Sequence, residues 1–301
     1  MTTLSSFGRR STADQVLAGI DLTGKRILVT GCNSGLGYET MNAFAANGAA
    51  VIGLARTLES ATKACAQASR ACIPVACDLS DLDSIAAALK EVRDLGVPLD
   101  AIVANAGVAN LPRLNTRYGV EMQFLTNHVG HFMLVNGLAD MVRNDSGRIV
   151  IVSGGASIGL APREGIMFDN LDGRRFYEPA AFYAQSKLAN ALYARELSRL
   201  LRGRGIAVNS VDPGAARTRL KKGFVARLFA RTAAQAAATQ ALVAASPAAA
   251  GATGEYWCNC KISKGSALLD DAALAKRLWD ISQQILDRKQ RSADAPLQQA
   301  A

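Results

Sequence analysis

Aromatic side chains are scarce. Phe, Tyr and Trp make up 6% of the 301 residues, against 50% for the apolar set as a whole. Close packing must therefore come from small and branched aliphatic groups, which suits alanine-rich helices laid on a sheet. Histidine is almost absent, with two residues, and the six cysteines (Cys32, Cys65, Cys72, Cys77, Cys258, Cys260) form no CxxC pair. A structural zinc site lacks its ligand spacing, so no metal is expected. The N-terminal stretch Met1–Gln15 has no apolar core and does not read as a secretory leader. Reduced thiols in a cytoplasmic protein are the expectation. No run of about 18 apolar residues occurs, so no membrane-spanning helix is expected. Acid is the minority charge: Lys and Arg number 34 and Asp and Glu 25, a formal +9. No basic run is long enough to form a tail, so the excess is read as drawing in an anionic cofactor. Neither nucleic acid nor membrane contact is expected.

Short β-branched runs alternate with longer stretches of helical spacing. Arg26–Thr30, Ala50–Leu54, Ile73–Cys77, Ala101–Ala104, Ile149–Val152 and Ala207–Val211 read as strands, with a seventh at Glu255–Cys258. Helices are predicted over Gly35–Asn47, Asp81–Leu95, Arg117–Arg143, Ala180–Leu201, Thr232–Ala245 and Asp271–Leu286, and Ser11 is predicted to cap a short helix through Leu17. The fold class is α/β: one Rossmann-like, doubly wound parallel sheet of about seven strands flanked by helices. Apolar runs that are continuous rather than alternating agree, because such strands are buried on both faces. The whole chain is read as one domain. Residues 1–23 form an N-terminal arm, 24–214 the dinucleotide-binding core, 215–254 a substrate-loop region, and 255–301 the last strand and C-terminal helix.

Between the first strand and first helix lies Thr30-Gly31-Cys32-Asn33-Ser34-Gly35-Leu36-Gly37. Glycines at this spacing let the backbone turn tightly and approach a pyrophosphate, which the free N–H groups of the following helix attract. At the end of the second strand, where a carboxylate would hold the adenosine ribose hydroxyls, the sequence reads Leu54-Ala55-Arg56. A guanidinium can grip a 2′-phosphate in two-pronged fashion, so Arg56 favours NADP(H) over NAD(H).

Further on, Tyr183 and Lys187 are four apart at the start of a predicted helix and share one face. A phenol titrates near pH 10, and a neighbouring ammonium stabilises its phenolate. Such a tyrosine can give a proton to a carbonyl oxygen, or take one from an alcohol, while hydride moves to or from nicotinamide.

In this order these residues resemble the short-chain dehydrogenases/reductases over nearly the whole chain. The resemblance rests on the loop Thr30–Gly37, Asp78-Leu79, Asn105-Ala106-Gly107, Asn127, Tyr183–Lys187, and Pro213-Gly214 followed by Thr218. It is similar in particular to the retinol-dehydrogenase-like and WW-domain-oxidoreductase-like branch, through Ser11–Lys25, Asn127–Phe132, Phe168–Leu171, Tyr183–Asn190 and Gly254–Cys260. The resemblance implies that Gly31, Asn33, Ser34, Gly35, Leu36 and Gly37 cradle the pyrophosphate and that Asp78, with Leu79, meets the adenine. Asn105, Ala106 and Gly107 would line the cofactor cleft. Asn127 would hold a water in a proton relay, and Lys187 would bind the nicotinamide ribose as well as tune Tyr183. Pro213, Gly214 and Thr218 would support the nicotinamide. His128 and His131 are read as structural helix residues.

One departure matters. Where the family carries a serine pair after the fifth strand, this chain reads Ser153-Gly154-Gly155-Ala156-Ser157, which puts Gly154 at the substrate-binding serine. Ser153 is assigned to the catalytic set beside Tyr183, Lys187 and Asn127, with Ser157 as the alternative. The leading function is interconversion of an alcohol and a ketone or aldehyde on a mostly apolar small molecule, whose pocket is expected from residues 157–179 and 215–231. Reduction of an activated C=C bond and a low-turnover cofactor-binding regulatory role are the alternatives. The resemblance also implies a homodimer or homotetramer.

Overall fold

The strands β1 (Arg26–Thr30), β2 (Ala50–Ala55), β3 (Ile73–Ala76), β4 (Ala101–Ala104), β5 (Thr116–Arg117), β6 (Val120–Glu121), β7 (Arg148–Val152), β8 (Ala207–Asp212), β9 (Tyr256–Cys258) and β10 (Lys261–Ser263) appear in a computed structural model that describes residues 6–70, 72–214 and 231–294. β5 and β6 form a small separate hairpin, and the other eight make one sheet in the order β10-β9-β8-β7-β4-β1-β2-β3. Every pairing in that sheet is parallel except β9 with β10. Successive side chains of one strand feed opposite cores: Ile27 and Val29 enter one cluster and Leu28 the other. That is why the apolar runs are continuous.

One face is covered by α1 (Ala13–Leu17), α2 (Gly35–Ala46), α3 (Leu58–Ala66) and α9 (Ala233–Ala245). The other carries α4 (Leu82–Asp94), α5 (Met122–Phe124) with α6 (Gly130–Leu138), and α8 (Pro179–Leu200), over which α10 (Ala272–Asp294) is laid; α7 (Gly155–Ile158) is a single turn after β7. Alanines dominate α9, and Ala237, Ala238 and Ala241 are buried on the sheet, so helix and strands approach closely without rings between them. Among the described residues, no helix is long and apolar enough to cross a membrane.

The sheet has eight strands rather than seven. The extra one is an edge hairpin: Cys258 pairs with Lys261, and the two turn residues Asn259 and Cys260 have φ of 56° and 61°. Such a turn normally announces itself through glycine, which is missing here. The single helix predicted over Arg117–Arg143 is in fact interrupted. Tyr118 (φ 55°) and Gly119 (φ 71°) turn the β5–β6 hairpin, and the helix starts only after Glu121, whose buried carboxylate accepts from the N–H groups of Gln123 (2.9 Å) and Phe124 (3.0 Å). Between α5 and α6, Leu125–Val129 widens into a π-turn. The first helix is capped by Thr12, not Ser11, in a reciprocal box with Gln15. α3 was not predicted, because its buried side is only Ala61, Ala64 and Cys65 and shows no large apolar period.

Candidate active site

The strand order reverses between β4 and β1, and there the carboxyl ends of the strands open a crevice. A cavity of about 910 Å³ fills it. The loop after β1 forms its floor. Gly31 has φ +69°, and a Cβ there would sit 3.0 Å from Ala106. A Cβ on Gly37 would collide with the Gly31 carbonyl oxygen and approach Asn105 Nδ2 to 2.5 Å. Ser34 precedes α2 and makes no side-chain cap bond, so it leaves the first amides of that 12-residue helix to another acceptor. A loop with glycine at Gly31, Gly35 and Gly37 under an uncapped helix start fits a pyrophosphate.

Of the residues assigned to the cofactor from sequence, Gly31, Asn33, Ser34, Gly35, Leu36, Gly37, Arg56, Asp78, Leu79, Asn105, Ala106, Gly107, Tyr183, Lys187, Pro213 and Gly214 all line this cavity. Thr218 lies outside the described residues, as does the expected substrate segment between 215 and 230. Arg56 is exposed at the end of β2, and Thr57 and Ser60 beside it also line the cavity. Asp78 accepts from Ser80 N–H at 2.9 Å and from its hydroxyl at 2.7 Å. Asn105 is held from both sides: its Nδ2 donates to Thr30 O at 2.9 Å, and its Oδ1 accepts from Gln240 Nε2 at 3.0 Å.

At the other end of the cavity, Tyr183 stands half-buried near the start of α8, with Lys187 Nζ 5.8 Å from its ring centroid. Lys187 is 4% exposed and donates to Val152 O at 3.2 Å. Burial pulls its pKa down to about 8, and the Asp212 carboxylate acts in the opposite direction. Asn127 is fully buried in the π-turn. Its Oδ1 accepts from Val108 N–H at 2.7 Å, and its Nδ2 donates to Val108 O and Ser186 Oγ, each at 2.9 Å. A Cβ on Gly107 would lie 3.0 Å from Asn127 Oδ1 and 3.4 Å from Lys187 Nζ, so glycine is what lets Asn127 and Lys187 both approach this point. Asn127 thus lies behind the cavity wall, with its side chain locked.

The family model for short chain dehydrogenases matches residues 25–166. The chloroplastic short-chain dehydrogenase TIC 32 B of Brassica napus is 35% identical over 307 residues, covering 94% of this chain and 95% of that protein. This chain belongs to the short-chain dehydrogenase/reductase family. Human retinol dehydrogenase 14 is 34% identical, with 86% of this chain and 85% of the relative covered. The human WW domain-containing oxidoreductase is 32% identical, with 96% and 74% covered. They place the chain in the retinol-dehydrogenase-like and WW-domain-oxidoreductase-like branch. Among solved structures, a short chain dehydrogenase from Burkholderia cenocepacia in complex with NADP superposes with a TM-score of 0.63 at 25% identity, over 79% of this chain and 97% of that one. An NAD(P)-dependent dehydrogenase/reductase is the activity class of this protein.

Several residues of this short-chain dehydrogenase site were not singled out from its sequence. Asp212 lines the cavity, accepts from Gly214 N–H at 2.8 Å and receives the Cys258 thiol at 3.6 Å. Tyr256 stands nearby with its hydroxyl buried, and burial raises its pKa strongly. A Cβ on Gly155 would lie 2.7 Å from Asp212 Oδ2 and 2.8 Å from the Tyr256 hydroxyl, so these two groups occupy the space beside the glycine pair. Gln240, which buttresses Asn105, sits in an alanine-rich helix where its polar side chain among buried neighbours was the available signal. Ser153 lines the cavity beside Gly154, but its hydroxyl donates to Val211 O at 3.3 Å. Ser157 falls in α7, and its side chain lies outside the described residues. The segment Gly165–Leu171, expected at the substrate edge, packs into the core shared with α8 and α10. Ile166 is 2% and Leu171 8% exposed, Phe168 lies 4.3 Å beneath the Arg277 guanidinium, and none of them lines the cavity.

Proposed function

We propose that this dehydrogenase interconverts an alcohol with a ketone or aldehyde on a mostly apolar small molecule, using NADP(H) in preference to NAD(H). The carrying observation is the half-buried Tyr183 with Lys187 near its ring at the inner end of a cavity whose far end is the glycine cradle. When bound, the nicotinamide supplies or accepts hydride. The Tyr183 hydroxyl donates its proton to the substrate oxygen in reduction and recovers it in oxidation. The buried Lys187 ammonium stabilises the phenolate that forms, and Asn127, whose side chain is locked, holds through its main-chain carbonyl the water that passes the proton on. Gly31, Gly35 and Gly37 admit the pyrophosphate, Asp78 meets the adenine, and Arg56 receives the 2′-phosphate. An apolar substrate agrees with Val108 and Ala109 on the inner cavity wall and with the apolar alcohol named in the retinol dehydrogenase relative.

A second reading, reduction of an activated C=C bond, gains from one observation. With Gly154 at the serine position and the Ser153 hydroxyl given to Val211 O, neither member of that described pair offers a free hydroxyl hydrogen to polarise a bare carbonyl. The test is a panel of ketones, aldehydes, enones and alcohols with NADPH or NADP, repeated with Tyr183→Phe. Turnover of apolar carbonyls, collapsing in the variant by on the order of a hundredfold or more while cofactor still binds, is the expected result. Preference for small hydrophilic ketones, or near-normal activity of the variant, overturns it. Turnover of enones at the C=C bond alone selects the second reading.

A further inference from the structure

His131 is fully buried in α6, one turn beyond Asn127, and is spoken for at both ring nitrogens. Nδ1 lies 2.8 Å from the Asn127 carbonyl oxygen, and Nε2 lies 2.9 Å from Thr30 Oγ1. A carbonyl only accepts, so Nδ1 carries a proton. The Thr30 hydroxyl already accepts from the N–H groups of Asn105 (2.9 Å) and Ala106 (3.0 Å). With both lone pairs used, its one hydrogen goes to His131 Nε2, which must be bare. A protonated ring would set three donors on one hydroxyl with two lone pairs. His131 is therefore a neutral Nδ1–H imidazole joining two places: the end of β1, where the phosphate loop begins, and the π-turn that carries Asn127.

We propose that His131 is a positioning residue that ties the proton-relay turn to the cofactor cradle, so that Asn127 and the phosphate loop are held in one register. The proposal rests on the reading of Tyr183, Lys187 and Asn127 as the proton-transfer set. The geometry gives the tie a purpose. At the π-turn the amide ladder slips to i→i−5, as Gly130 N–H to Leu125 O shows, and single widened turns of this kind recur at functional sites. Val108 and Ser186 are reached from this turn by the side chain of Asn127. His131 grips the carbonyl of that residue from below and is itself anchored outside the helix, on a strand of the central sheet.

The chain's only other histidine provides an internal control. The Ser282 hydroxyl donates to Leu278 O at 2.8 Å, so it accepts from His128 Nε2–H at 2.8 Å, and His128 must be the opposite tautomer. Long-range 1H–15N correlation spectra of the full chain at pH 7 should show two neutral rings, His131 protonated at Nδ1 and His128 at Nε2. Assignment follows from His131→Asn, whose amide can still donate to the Asn127 carbonyl. A His131 ring protonated at Nε2, or at both nitrogens, overturns the proposal, and this readout needs no substrate. For kinetics, His131→Phe should lower kcat at least tenfold and raise the solvent isotope effect on kcat, with the NADPH dissociation constant within threefold of wild type. His131→Asn should recover kcat to within threefold. A Phe variant with kcat within twofold and an unchanged isotope effect also overturns the proposal, whereas inactivity of the wild type on the whole panel counts against the proposed function alone.

Discussion

Mild acid should destabilise this protein, and its two histidines should set the slope. Both are fully buried and uncharged, and burial depresses their pKa values from 6.5 to about 3 for His128 and about 4 for His131. The sign follows from where protons bind. Between about pH 6.5 and the depressed values, the unfolded chain binds a proton on each ring and the folded chain binds none. Stability therefore rises with pH across that window and is lost as pH falls through it. Two protons give a slope of about 2.7 kcal/mol per pH unit between roughly pH 6 and 4, so lowering pH from 6.5 to 4.5 removes about 4 kcal/mol. Set against the usual 5–15 kcal/mol of a folded domain, in round terms, that is a large part of the total. Glu121 works the other way. Its buried carboxyl has a raised pKa, so the folded chain takes up that proton first and offsets part of the slope at the acid end. The measurement is urea unfolding followed by circular dichroism at half-unit steps from pH 7 to 4.5. His128→Gln, at the ring bonded to Ser282, should halve the slope to about 1.4 kcal/mol per unit whatever it does to stability at pH 7. Stability that is flat between pH 6.5 and 4.5, or a wild-type slope in the variant, would refute the reasoning.

Two further substitutions test the cofactor end. Arg56→Asp places a carboxylate beside the expected 2′-phosphate site and should reverse the ratio of kcat/KM for NADPH over NADH in favour of NADH; a ratio unchanged within twofold would remove Arg56 from cofactor choice. Gly37→Ala drives a methyl into the Gly31 carbonyl and against Asn105, so it should weaken NADPH binding at least tenfold in a fluorescence titration while far-UV circular dichroism stays the same. Wild-type affinity in that variant would show that the loop can yield.

How much could be read from the sequence depended on how local each signal was. β1, β4 and the loop between β1 and α2 were legible because a buried parallel strand leaves a continuous apolar run and a phosphate loop needs glycine at fixed places. Tyr183 and Lys187 were legible because four residues on a helix bring side chains to one face. The break in the long helix was not, since Glu121 acts through its carboxylate on Gln123 and Phe124 while flanking apolar residues keep helical spacing. The β9–β10 hairpin was hidden because Asn259 and Cys260, rather than glycine, take its positive φ values. Asp212, Tyr256 and Gln240 come to the site from strands and a helix far along the chain, and no spacing rule links them to Gly155 or Asn105. The Ser153-Gly154 pair was visible in the sequence, but the sequence could not show that the Ser153 hydroxyl is bonded to Val211 O.

The two outermost strands bear on how copies of this chain can meet. A sheet with a bare outer strand offers its N–H and C=O groups to a strand of another molecule, and natural proteins blunt such edges. At one end, β3 carries Pro74, which has no N–H to offer and is tolerated at an outer position. At the other, the antiparallel β10 is three residues long and begins with an exposed lysine, Lys261. Neither end is a good template for continuing the sheet from molecule to molecule. Aggregation by strand addition is thereby disfavoured at both ends of the sheet.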